Sequence, residues 1–174
     1  TMGIEKLGDR LHTLPDGETG GRRNWIIHII EALRTHHDCE VGREGEGSEY
    51  EQRQRCKVHA GKRPSADALN RGHSAAFQAN YETFKALRAK HGLDDLAYQV
   101  GIPGDLDLAL FIFGPAGIVT RRRPFTEATV REIAAIHAVA GDDVVFQIEV
   151  PAELVFVAQV PPPMRPLVAR YMAR

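Results

Sequence analysis

Side chains able to do chemistry gather where short apolar runs break. Leu11 to Leu14 runs into Pro15-Asp16-Gly17-Glu18-Thr19-Gly20-Gly21-Arg22, and Val144 to Val150, which carries Gln147 and Glu149, runs into Pro151-Ala152-Glu153. Carboxylates in such places can hold a cation by charge-assisted hydrogen bonds, or move a proton when one acid stays protonated beside an ionised one. Arg22 can grip a substrate carboxylate or phosphate bidentately, or serve the neighbouring acids as an internal ion-pair partner. Asp16 and Glu18 also have a plain structural use, since acids ahead of a helix stabilise its N-terminus by about 0.3–1 kcal/mol. The glycines at 17, 20 and 21 lack the lysine of a P-loop and predict no nucleotide.

A second constellation is His36-x-x-Cys39 with Cys56-x-x-His59, two ligand pairs across a polar stretch. Thiolates and imidazoles at this spacing can close a tetrahedral zinc site. The plainer reading makes His36 and His37 polar residues at a helix end, where cations are favoured. The chain calls for no cofactor of its own, with zinc as the one candidate.

The elements that must position these groups alternate in type. After the Leu11–Leu14 strand, Trp25, Ile26, Ile29, Ile30 and Leu33 recur at helical spacing, and residues 38–72 then form a polar excursion with little to anchor it in a core. A helix over 74–91 presents Phe77, Tyr81, Phe84 and Leu87 on one face and stops at Gly92. A strand from Ala97 to Ile102 ends at Pro103-Gly104, and Leu106 to Phe113 is too short to assign by pattern. Arg121-Arg122-Arg123 reads as a solvated loop, Thr126 as the N-cap of a helix, and Val130, Ile133, Ala134 and His137 as its repeating face up to Gly141. Val144 to Val150 looks like a parallel strand covered on both faces, and Pro166 to Met172 like a short closing helix.

Strands alternating with helices predict an α/β fold with a parallel sheet, whose reactive groups lie beyond the strand C-terminal ends. At 174 residues the chain is expected to be a single domain, smaller than the roughly 250 residues of a closed eight-unit barrel. Its net charge of −1 gives no basic field for nucleic acid or an anionic membrane. The two cysteines and the lack of a long apolar run predict a cytoplasmic protein. A small molecule is the remaining partner class.

Three of these segments carry a family likeness. Pro15-Asp16-Gly17-Glu18 with Arg22 and Trp25, then Gln99-Val100-Gly101-Ile102-Pro103, then Phe146-Gln147-Ile148-Glu149-Val150-Pro151-Ala152, occur in order with helices between them. They resemble the strand-end motifs of the cobalamin-independent methionine synthase and uroporphyrinogen decarboxylase-like superfamily, most of all its uncharacterised bacterial and fungal members. The resemblance implies a partial (β/α) TIM-type barrel. It also implies that Glu18 and Glu149 hold the ammonium group of an amino-acid-like substrate, with Asp16, Arg22 and Gln147 beside them, for methyl transfer or related chemistry. Glu149 stands where the synthases have aspartate, and Val150 replaces their second acid. The zinc ligands of the synthases belong to a barrel half that has no counterpart in this sequence. The resemblance therefore implies a missing remainder of the barrel or a homo-oligomer. The alternative is a non-catalytic assembly module, stabilised by zinc at Cys39 and Cys56.

Overall fold

The computed structural model describes residues 2–17, 29, 39–41, 56–60, 62, 65–69 and 72–173. In chain order its elements are α1 (Met2–Leu7), β1 (Thr13–Pro15), β2 (Cys39–Val41), β3 (Cys56–Val58), α2 (His73–His91), β4 (Ala97–Pro103), α3 (Asp105–Phe113), α4 (Pro115–Thr120), α5 (Arg122–Ala140), β5 (Val144–Glu149), α6 (Pro151–Gln159) and α7 (Arg165–Met172). They fall into two compact units, one of Thr1–Thr19, Arg71–Ile102 and Thr129–Ile148, the other of Gly20–Asn70, Pro103–Ala128 and Glu149–Arg174.

The first unit is built on a three-stranded sheet in the order β1-β4-β5. β1 runs parallel to β4, with Thr13 opposite Ala97, Leu14 opposite Tyr98 and Pro15 opposite Gln99. Period-two alternation along β4 buries Tyr98, Val100 and Ile102 together. α2 supplies the opposing surface, because Phe77, Tyr81 and Phe84 recur at helical spacing and are all buried. Their rings form one cluster with Tyr98, with centroids 4.9 Å apart for Phe84 and 5.6 Å for Phe77. Each fully buried aromatic contributes about 1.5–3 kcal/mol of transfer free energy. α2 ends where the pattern puts its stop: Gly92 adopts φ 63°, and the N–H groups of Gly92 and Leu93 close onto the carbonyls of Ala89 and Arg88.

In the second unit the unassigned Leu106–Phe113 run is helical and continues back to Asp105 as α3. It buries Leu106, Leu108, Ala109 and Ile112, which is why its apolar residues look continuous rather than periodic. Leu108, Ala109 and Ile112 pack in a cluster with Phe125, Ala128, Cys56, Ala66, Leu69 and Ile29. The 38–72 excursion is thus tied to a core through Cys56, Ala66 and Leu69, and its described part includes a two-stranded antiparallel sheet with Cys39 opposite Val58 and Val41 opposite Cys56. Trp25 lies outside the described residues.

Four sequence readings are corrected here. The buried positions of α5 include Phe125, Ala128, Glu132 and Ile136, while Val130, Ala134 and His137 are exposed. Phe125 and Ile136 are eleven residues apart, three turns of one face, and the largest side chains set the rotation. The helix also starts four residues before Thr126, so that residue caps nothing; its hydroxyl donates to Asp105 and to the Arg122 carbonyl. The arginine run is not a bare loop: Arg122 pairs with Asp105 at 2.9 Å, Arg123 pairs with Glu127 at 2.9 Å, and Arg121 lies 5.7 Å from the Phe113 ring centroid. Finally, β5 is not covered on both faces, since it flanks β4 and leaves Val145 and Ile148 exposed. No described helix is long and apolar enough to cross a membrane.

Candidate functional site

A linked row of polar groups crosses the three strands of the first unit. Asp16 follows β1 directly, its backbone N–H donates to the Gln99 carbonyl at 2.7 Å, and its carboxylate accepts from Asn80 Nδ2 at 2.9 Å. Thr13 Oγ1 donates to Gln99 Oε1 at 2.7 Å, and Gln99 Nε2 donates to Gln147 Oε1. Gln99 thereby bridges all three strands, using both ends of its amide, and α2 reaches the same row through Asn80. Asp16 and Gln147 are therefore joined through Gln99 in one row across the sheet. Glu18 and Arg22 lie outside the described residues.

The opposite end of this sheet holds a different polar group. Asp143, just ahead of β5, receives both guanidinium nitrogens of Arg88 at 2.9 Å and the Tyr81 hydroxyl at 2.8 Å. Those hydrogen bonds, Arg88 first, hold its carboxyl below the usual carboxylate range. Burial, reinforced by the bond to Asp143, pushes the Tyr81 phenol up to about 12. Every partner is matched in charge, which marks a structural clamp.

Glu149 belongs to the second unit and keeps different company. Its carbonyl accepts from Gly104 N–H at 2.8 Å, where α3 begins. A Cβ built on Gly104 would stand 2.5 Å from that carbonyl, 3.4 Å from Asp107 Oδ2 and 3.5 Å from Glu153 Oε1. Only glycine admits this approach, and the Asp107 and Glu153 carboxylates lie beside it. Asp107 is 1% exposed, and its Oδ1 accepts from Ala152 N–H at 3.1 Å. Its Oδ2 and the Glu153 Oε2 are buried, and no donor among the described groups reaches either. Burial, then the charge of Glu153, pushes Asp107 up to about 6, against the pull of the Ala152 N–H; Glu149 and Asp105 add to the rise. Glu153 is also raised, by burial first, with Arg122 opposing.

Sequence reasoning missed Gln99, Asn80, Asp107 and Glu153 as participants. The available signals were Asp105-Leu106-Asp107 just after Pro103-Gly104 and Pro151-Ala152-Glu153 just after β5, both patterns of a helix first turn. Of the zinc set, His36 and the Cys39 side chain lie outside the described residues, Cys56 is buried in the core, and His59 is exposed. Among the described residues no three His, Cys, Asp or Glu side chains stand together as a metal site. Set against family models, curated proteins and solved structures, the chain matches none.

Proposed function

We propose that this chain is a portion of a (β/α) barrel enzyme similar to the cobalamin-independent methionine synthases, binding a small amino-acid-like substrate at the C-terminal ends of its strands for methyl transfer or related chemistry. One observation carries the reading. The three motif-bearing segments, far apart in sequence, are the three adjacent strands of one sheet, β1, β4 and β5. The row Asp16, Gln99 and Gln147 is joined across that sheet, and Asp16 follows the C-terminal end of β1, the side on which open α/β sheets and barrels bind ligands. By the resemblance an ammonium group suits Glu18 and Glu149, with Asp16 and Gln147 beside them and Arg22 for the substrate carboxylate.

Isothermal titration calorimetry with L-methionine and L-homocysteine, and with the matching acids that lack the amino group, tests the reading. The amino acids are expected to bind and the deaminated acids to bind far more weakly. Glu18→Gln and Glu149→Gln are each expected to lose about tenfold or more in affinity, the worth of one charge-assisted hydrogen bond, with thermal melting unchanged. Wild-type affinity in both variants would sink the assignment.

A further inference from the structure

The amide row of the first unit has a direction, and that direction decides what its open end can bind. Thr13, Gln99 and Gln147 share one face of the sheet, because Tyr98 and Val100 alternate with Gln99 along β4 and are buried on the other face with the α2 aromatics. A hydroxyl can donate or accept, but an amide oxygen only accepts and an amide nitrogen only donates. Thr13 Oγ1 donates to Gln99 Oε1, which turns Gln99 Nε2 toward β5, where it donates to Gln147 Oε1. Both ends of the Gln99 amide are thereby assigned, and the Gln147 nitrogen becomes the outer end of the row. Gln147 is exposed, and no acceptor among the described groups reaches its Nε2. Gly101 lies on the same face as Gln99, partly exposed inside the strand, and its missing Cβ leaves space for close approach beside the row.

We infer that Gln99 is a positioning residue that fixes the Gln147 amide with its nitrogen outward, so that the open end of the row is a hydrogen-bond donor for an acceptor oxygen of the ligand. The identity of that oxygen rests on the amino-acid-like substrate proposed above. An ammonium group has three donors and no acceptor, whereas a carboxylate only accepts. Gln147 therefore meets the substrate carboxylate, and the ammonium is left to acids. An N–H donated to a carboxylate is charge-assisted and stronger than the neutral bond between the two amides. Each bond in the row polarises the next, so the Thr13 and Gln99 bonds strengthen the donor at Gln147. Without Gln99 the Gln147 side chain could present either end of its amide, and ordering it would fall to the ligand.

Water-exchange NMR of the side-chain amides in the whole chain, with no ligand added, reads the direction of the row. The Gln147 amide protons are expected to exchange as fast as those of free glutamine, and one Gln99 proton about fivefold more slowly, the worth of one neutral hydrogen bond. Gln99→Glu reverses the row, since a carboxylate can accept from Thr13 but has no N–H for Gln147, whose own nitrogen must then turn inward. One Gln147 proton is expected to slow in that variant. A slowed Gln147 amide in the wild type, or a fast one in Gln99→Glu, would overturn the inference. Calorimetry with L-methionine reads the consequence for binding. Gln99→Glu is expected to weaken binding about tenfold, and to add nothing when Gln147 is already replaced by Gln147→Leu. The same tenfold loss in the Gln147→Leu background would assign Gln99 to the fold alone. A wild-type chain that binds no L-methionine sinks the amino-acid reading, and the exchange pattern still decides the direction of the row.

Discussion

Asp143 and Asp107 are the same residue type, each adjoins a strand end, and the structure drives their proton affinities in opposite directions. At Asp143 two guanidinium nitrogens and a phenol surround the carboxylate, so the charge is matched before it is buried. At Asp107 one backbone N–H faces two further acids in a nearly dry setting. Burial alone does not decide the sign of the shift; the charges that accompany it do. A matched acid clamps a fold, while an unmatched one holds its proton to higher pH.

The sharpest way to break this contrast is Asp143→Ala, which leaves Arg88 and Tyr81 without their acceptor. A loss of about 2 kcal/mol is expected in urea unfolding at pH 7, held below the cost of breaking a fully buried pair because solvent screens the carboxylate, 38% exposed. Since the folded-state pKa is lowered, this contribution is present above the ordinary carboxylate pKa and lost as pH falls through the lowered value. A loss that persisted undiminished in strong acid would remove the charge from the explanation.

Asp107→Asn should act with the opposite sign. The wild-type group is raised from 3.8 to about 6, so its stabilising share is complete below 3.8 and is lost as pH climbs through about 6. The amide oxygen of the variant still accepts from Ala152 N–H. The variant is expected to be more stable than wild type by about 1–2 kcal/mol at pH 8 and no more stable at pH 3.5, measured by urea unfolding at both values. A variant that is less stable at pH 8 would show that the carboxylate is matched after all.

Arg122→Gln removes the counter-charge of Asp105 and the cation that opposes the rise at Glu153. It should cost about 1 kcal/mol at pH 8, and the cost should shrink as pH falls and Glu153, whose proton affinity is raised, takes up its proton. A pH-independent cost would assign Arg122 to packing and to its hydrogen bond with the Met172 carbonyl. Thr126→Val removes one exposed hydrogen bond to Asp105, and a change within about 0.5 kcal/mol is expected from thermal melting. A larger loss would mean that Thr126 orders Asp105 for the acids beside it.

What the sequence by itself determined was local. The Phe77, Tyr81, Phe84 spacing and the Gly92 stop define α2, and the turn chemistry at Pro103-Gly104 and Gly141 bounds β4 and β5. The α/β class and the parallel pairing of β1 with β4 follow from that alternation of elements. Asp16 was legible as a strand-end residue, because a residue's place after a strand is a fact of chain order, and Gln147 as a residue within the last strand. Tertiary structure alone decided the rest. The buried face of α5 depends on which neighbours Phe125 and Ile136 meet, and a single-chain pattern offers two rotations of nearly equal apolarity. The bridging role of Gln99 needs three strands side by side. The pairing of Asp107 with Glu153 needs two helix starts, forty-six residues apart in sequence, to meet over a glycine with no Cβ. Charge balance in a buried site is set by which side chains converge in space, and sequence spacing carries no record of that convergence.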